Sequence, residues 1–177
     1  MYTQLLHYIC SWFNQNQIPY MVTGSVALNI YLLPRSTFDI DIVVEIPYQK
    51  VGEFLKLFET DFYINLDTAQ KELSHRGIGM FNVIDHQSGY KVDFIILQNK
   101  PYETEKFNNR KTIIFENIPI SVISPEDLVI SKLQWIQELQ SERQMGDIHN
   151  LLHYPNIDTK YIEHWIGKLR LQTFGLL

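Results

Sequence analysis

One cysteine in 177 residues leaves no partner for an internal disulfide, so burial and hydrogen bonding hold this chain together without cross-links. An excess of positive charge is also missing. With 15 basic and 20 acidic side chains the formal charge is -5, which argues against a broad nonspecific nucleic-acid surface but leaves room for a local basic groove. No apolar run approaches the roughly 20 residues needed to cross a bilayer, and even residues 40–46 are interrupted by Asp41 and Glu45. Internal repeats and low-complexity tracts are absent, as is a charged N-terminal region leading into an apolar run with a small-residue cleavage site. These absences predict a soluble protein of a reducing cytoplasm, with no membrane contact. What is present is a hydrophobic fraction of 45% and an aromatic fraction of 13%, enough for one ordinary core. Cys10, in helical phase with Leu6 and Phe13, reads as a small buried hydrophobe.

Apolar residues recur at helical spacing over residues 2–16, and Pro19 separates them from a short strand at 20–23. Residues 27–33 are helix material stopped by Pro34, after which 38–45 read as strand. Pro47 opens an amphipathic helix to about residue 59, residues 62–65 read as strand, and Asp67 is placed to cap a brief helix through Glu72. Residues 80–84 and 91–97 flank Ser88-Gly89 as a hairpin, and 111–115 with 118–123 form a second strand pair about Glu116-Asn117. Beyond this point the pattern is helical. Ser124-Pro125-Glu126-Asp127 combines a cap, a first-turn proline and an acidic residue three after the cap; two more helices follow, over 147–152 and from Asp158. Trp12, Trp135 and Trp165 fall on helical stripes, where core packing is the ordinary expectation.

The chemistry is concentrated in Thr23-Gly24-Ser25 and, one helix later, Arg35-Ser36-Thr37-Phe38-Asp39-Ile40-Asp41. A strand aims alternate side chains at one face, so Asp39 and Asp41 point the same way. Like charges side by side repel, and the usual relief is a shared proton or a divalent cation. A third carboxylate, Asp93, lies on a separate strand, alternating with Val92 and Phe94. Three hard oxygen donors of this kind suit one or two Mg2+ ions, which offset phosphate charge and acidify an attacking hydroxyl while the third carboxylate serves as base. At the Gly-Ser turn, Gly24 permits close backbone approach, the Ser25 hydroxyl can donate to a phosphoryl oxygen, and unpaired first-turn amides favour an anion. A Gly-Ser pair before a helix is also plain turn-and-cap chemistry, and a lone strand Asp is commonly just solvated. The paired carboxylates inside so apolar a strand are what need a reason.

In these residues the chain resembles the nucleotidyltransferase superfamily of the DNA polymerase β type, whose signature is Gly-Ser, a helical interval, Asp-x-Asp and a third Asp on a later strand. Within it the chain is similar to small proteins related to the AbiEii toxin component of type IV toxin–antitoxin systems. The likeness runs through Gly24-Ser25, residues 35–41, Lys91-Val92-Asp93-Phe94, Ser124-Pro125-Glu126-Asp127-Leu128, Lys132-Leu133, Arg143, Asp147-Ile148 and residues 158–165. It implies an α+β fold: a mixed sheet with flanking helices over residues 1–123 and a C-terminal helical subdomain over 124–177. It further implies metal on Asp39, Asp41 and Asp93, and transfer of a nucleoside monophosphate from a nucleoside triphosphate such as ATP with loss of pyrophosphate. Ser25 would hold the triphosphate, Lys132 would reach a phosphate, and Asp147 would orient the acceptor or Lys132. Arg35 either steadies a phosphate or simply follows Pro34 on the surface. Acceptors implied are an RNA end such as that of tRNA, a protein side chain or a small molecule, with an antitoxin as a further partner. Where antitoxin-like minimal members carry Gly-Ser-x-Ala-Arg-Gly, this chain has Gly24-Ser25-Val26-Ala27-Leu28-Asn29, which sets it apart from them.

Two other readings remain open at the level of sequence: a catalytically silent nucleotide- or protein-binding module of the same fold, and a metal-dependent phosphohydrolase in which water replaces the acceptor. Lys132 alone reads as an exposed helix cation, and Arg143 with Asp147 as a helical ion pair. A zinc site is not expected from His75, His86, His149, His153 and His164, because only His149 and His153 have helical spacing and no Glu follows the first of them.

Overall fold

The computed structural model describes residues 2–74 and 79–177. Helix α1 (Tyr2–Gln15) leads into β1 (Tyr20–Thr23), α2 (Gly24–Tyr31) and β2 (Asp39–Val44). A 3-10 turn (Tyr48–Lys50), α3 (Val51–Lys56), β3 (Phe62–Ile64), α4 (Leu66–Ser74), β4 (Met80–Asp85) and β5 (Lys91–Ile96) follow. The remainder is α5 (Pro101–Asn108), β6 (Lys111–Phe115), β7 (Ile118–Val122), α6 (Pro125–Ile136), α7 (Glu142–Leu152) and α8 (Thr159–Leu169). The strands make one mixed sheet in the order β3-β4-β5-β2-β1-β7-β6, with β2/β5 and β1/β7 parallel and the other neighbours antiparallel. This is the mixed α+β architecture the sequence implies.

Register sorts the side chains onto two faces. Tyr20 and Val22 of β1 oppose Val44 and Ile42 of β2, which in turn lie beside Ile96 and Phe94 of β5, and all six are on one face. An aromatic core covers it. Phe13 of α1 stacks on Tyr20 at 4.9 Å, Phe54 of α3 meets Phe94 edge-on at 5.1 Å, and Phe81 stacks on Phe94 at 5.2 Å. Cys10 is buried and free, in keeping with its hydrophobic phase. Deep burial raises its thiol to about 12, so it is not a thiolate nucleophile at neutral pH.

Local chemistry explains the boundaries. Gly89, at φ +72, closes the β4–β5 turn, where the Asp85 side chain accepts from the Ser88 amide at 2.9 Å. Glu116 and Asn117 both take positive φ, as a two-residue hairpin turn with the right twist requires. The Ser124 hydroxyl accepts from the Asp127 amide at 3.1 Å and Asp158 Oδ1 from the Tyr161 amide at 3.0 Å, capping α6 and α8. The cap near α4 differs from expectation: Asn65 accepts from the Thr68 amide, two residues before Asp67, which lies inside the first turn. Helix α5, starting on Pro101, has no counterpart in the sequence reading, because it buries only Tyr102, Lys106 and Phe107 and so lacks a full apolar stripe. Trp135 is 71% exposed near the end of α6, a correction to its assignment as core. Trp165 packs on Tyr102 at 4.8 Å and donates to Glu105, while Trp12 lies against Phe54 at 5.4 Å. Among the described residues no helix is long and apolar enough to cross a membrane.

Candidate active site

The face opposite the aromatic core carries a polar row. Thr23 of β1 opposes Asp41 of β2, Asp41 lies beside Asp93 of β5, and Asp93 opposes Asn82 of β4. One register earlier, Asp39 is beside Lys91. Strand parity thus brings Asp39, Asp41 and Asp93 to one face from segments more than fifty residues apart in sequence, and the parallel β2/β5 pairing fixes which neighbours meet. Asn82 was not singled out in the sequence. Only the hairpin register, invisible without a defined turn, places it beside Asp93.

Gly24 sits at the start of α2 with φ +63, and a Cβ there would run into Asp41 Oδ2. The close approach that this glycine permits is therefore to the carboxylate itself. Both the left-handed backbone and the lost space act against Gly24→Ala, which is expected to destabilise the fold by about 1–3 kcal/mol in chemical denaturation from strain alone. The same substitution should displace Asp41. Thr23, at the cap position of α2, makes no side-chain capping bond, so no side-chain cap acceptor competes for the first-turn amides.

Burial, with Asp93 and Asp39 adding repulsion, raises the Asp41 carboxyl to about 6 despite the opposing pull of Lys91 and Lys132. Asp93 is only 7% exposed; its Oδ2 holds the Lys91 ammonium at 2.8 Å, while Oδ1 is buried without a hydrogen-bond partner among the described residues. The same ammonium is 3.4 Å from Asp39 Oδ1. Among the described residues no three His, Cys, Asp or Glu side chains form a closed metal cluster, as Lys91 stands between Asp39 and Asp93. The donor set nevertheless fits a hard divalent cation: carboxylate oxygens only, one of them buried and unpartnered, and one carboxyl short of compensating charge. His149 and His153 lie with ring centroids 4.6 Å apart and tilted by 41° but gather no third ligand among the described residues, and His75 lies outside them.

Beside the carboxylates lies a cationic cluster. Arg35 Nη2 donates to Ser25 Oγ at 3.2 Å and to Asp147 Oδ2 at 2.8 Å, and Lys132 Nζ donates to that same oxygen at 2.9 Å and to Gln144 Oε1 at 2.7 Å. Arg35 therefore does not simply follow Pro34 on the surface. Lys132 is only 6% exposed rather than an exposed helix cation, and burial lowers its pKa against the support of Asp147. Nor do Arg143 and Asp147 pair, since Arg143 donates instead to the Ser36 carbonyl. Arg35 Nε and Nη1 are buried without partners among the described residues, leaving donors for an anion.

Asn29, buried on α2, fixes the loop that carries Arg35. Its side chain donates to the Arg35 carbonyl at 2.7 Å and accepts from the Arg35 amide at 3.0 Å. Two backbone groups lose their partners in Asn29→Ala. About 1–3 kcal/mol of stability should be lost in urea unfolding. Asn29 and Gln144 are supporting residues that sequence reasoning missed, because a buried amide on a helix has no signature until its partner is known. A hollow of about 690 Å³ lined by Gln4, Tyr8, Asp61, His86 and Ser88, among others, shares none of these residues.

No protein-family model and no curated protein matches the chain. Solved structures do share its fold. ANT(2")-Ia in complex with adenylyl-2"-tobramycin aligns with a TM-score of 0.67 at 13% identity, over 94% of this chain and 95% of that one. LnuA, a lincosamide antibiotic adenylyltransferase with lincomycin bound, aligns at 0.58 and 15% identity over 84% and 94% of the two chains. An antigenic nucleotidyltransferase-like protein from Paracoccidioides brasiliensis gives 0.56 and 16% identity over 94% and 85%. The fold is thus one shared with nucleotidyltransferases.

Proposed function

We propose that the protein is a Mg2+-dependent nucleotidyltransferase that moves a nucleoside monophosphate from a nucleoside triphosphate to a hydroxyl of an acceptor. The observation that carries this reading is the alignment of Asp41 with Asp93 across parallel strands, within a carboxylate face flanked by Gly24-Ser25 and the Arg35–Lys132 pair. Asp39, Asp41 and Asp93 would hold the metal, whose chemistry is to neutralise phosphate charge and acidify the attacking hydroxyl. Ser25, Arg35 and Lys132 bind the triphosphate and stabilise the charge that builds on pyrophosphate as it leaves. The acceptor oxygen attacks the α-phosphorus, the bond from that phosphorus to the bridging oxygen of pyrophosphate breaks, and the hydroxyl proton passes to Asp93, whose Oδ1 has no hydrogen-bond partner among the described residues.

For the acceptor we favour a small molecule bearing a hydroxyl. Support comes from the acidic total charge, unsuited to a long polyanion, and from the two antibiotic-bound neighbours whose folds align over most of this chain. The narrower relation to AbiEii-type toxins rests on the ordered motifs alone. Incubation with radiolabelled nucleoside triphosphates, Mg2+ and separate pools of hydroxylated small molecules, tRNA and protein should label the first pool. Label only in tRNA or protein would redirect the acceptor, and no transfer together with no metal-dependent nucleotide binding would end the reading.

A further inference from the structure

Lys91 has no assigned part in the chemistry above, yet its ammonium occupies the centre of the carboxylate face. It lies 2.8 Å from Asp93 Oδ2 and 3.4 Å from Asp39 Oδ1, bridging two carboxylates on neighbouring parallel strands. The position is set by register, since Lys91 is the residue aligned with Asp39 and is two before Asp93 on the same face. A lysine supplies one positive charge and three donors but cannot coordinate, so it compensates the acids without satisfying them. Asp93 Oδ1 is left without a hydrogen-bond partner among the described residues. The Lys91 side chain is 38% exposed, so its long stem can swing away without disturbing the aromatic core on the other face.

We propose that Lys91 is a resident counter-ion that occupies the divalent-cation position of the free protein and yields it only when a nucleoside triphosphate offers the ammonium another anion. This rests on the nucleotidyltransferase reading and adds to it an order of events. In the free protein, a divalent cation competes with Lys91 for Asp39 and Asp93 and binds weakly. With triphosphate present, Lys91 turns to a phosphoryl oxygen, the carboxylates are released, and cation and nucleotide load together. Lys91 also offsets part of the repulsion among the acids in the absence of ligand. Lys91 is in this account a positioning residue that couples two ligands.

The test measures Mn2+ affinity of the full chain by electron paramagnetic resonance, with and without a non-hydrolysable nucleoside triphosphate analogue. Lys91→Met should tighten Mn2+ binding to the free protein by at least about tenfold, because a unit charge a few ångströms from the cation is removed. With the analogue present the gain should shrink to about threefold or less, since Lys91 has then already left. Lys91→Gln, which keeps a donor toward Asp93 without the charge, should behave alike and covers the case in which the methionine variant fails to fold. In the wild-type protein, Mg2+ plus analogue should move the signal of isotope-labelled Lys91, and Mg2+ alone at the same concentration should move it little. Unchanged or weaker Mn2+ binding in the two variants, or no displacement of the Lys91 signal, overturns the inference. If the wild type still transfers nucleotide in that event, only the role of Lys91 falls; if it neither transfers nor binds nucleotide, the functional reading falls with it.

Discussion

Asp41→Asn is expected to reduce nucleotide transfer on the order of a thousandfold, about 4 kcal/mol of transition-state stabilisation, while making the folded protein more stable at alkaline pH. The two effects share a cause. Asp41 is largely buried between Asp39 and Asp93, and these surroundings raise its carboxyl to about 6, with Lys91 and Lys132 offsetting only part of the cost. In the unfolded chain the same group titrates near about 4. Folding therefore takes up a proton between these values, so the native state is most favoured below about pH 4 and loses this contribution as pH rises through about 6. Replacing the acid by its amide removes the penalty above that range, a gain of up to about 3 kcal/mol at pH 8 in urea unfolding, and flattens the stability profile between pH 4 and 6. The wild-type transfer rate should rise with pH through about 6, as the proton on Asp41 stops competing with the cation. A variant losing both activity and stability at pH 8 would show that the carboxylate has a structural partner instead.

Asp147→Ala should have the second largest effect and the opposite sign on stability. One carboxylate oxygen receives Arg35 from the loop after α2 and Lys132 from α6. Removing it leaves two cations facing each other around a nearly buried position, a situation that costs about 3–5 kcal/mol for fully buried pairs. Arg35 keeps a quarter of its side chain in solvent, so the lower end of that range applies. In kinetics the nucleotide KM should rise by about tenfold or more, with a smaller fall in kcat, because binding geometry is lost before the chemistry is. Asp147→Asn should recover part of the stability by restoring an acceptor, and less of the affinity. Equal losses in kcat and kcat/KM with KM unchanged would instead place Asp147 at the reacting atoms.

The strands, the two hairpins and the capped start of α6 were legible in the sequence because each rests on local chemistry: period-two alternation, Gly89, the Glu116-Asn117 turn, and Ser124 with Pro125. The carboxylates were legible for a similar reason, since alternation alone aligns Asp39 with Asp41, and an apolar strand makes their charge conspicuous. What escaped depends on pairs formed across the fold. Asn29 looks like any polar helix residue until Arg35 is seen beside it, and Lys91 looks like a strand-end cation until β5 is laid parallel to β2. Asp147 shows the converse, because its spacing from Arg143 suggested a local pair whereas its partners come from two other elements. Helix α5 hid because only a few of its side chains are buried.

The parallel pairing of β2 with β5 also limits how such a protein can diversify. Adding or deleting one residue in either strand would exchange Asp41 or Asp93 for an aliphatic or aromatic neighbour, so the two inner strands are closed to length variation. The outermost strands β3 and β6, each paired on one side only, carry no such carboxylate register and are open to length variation.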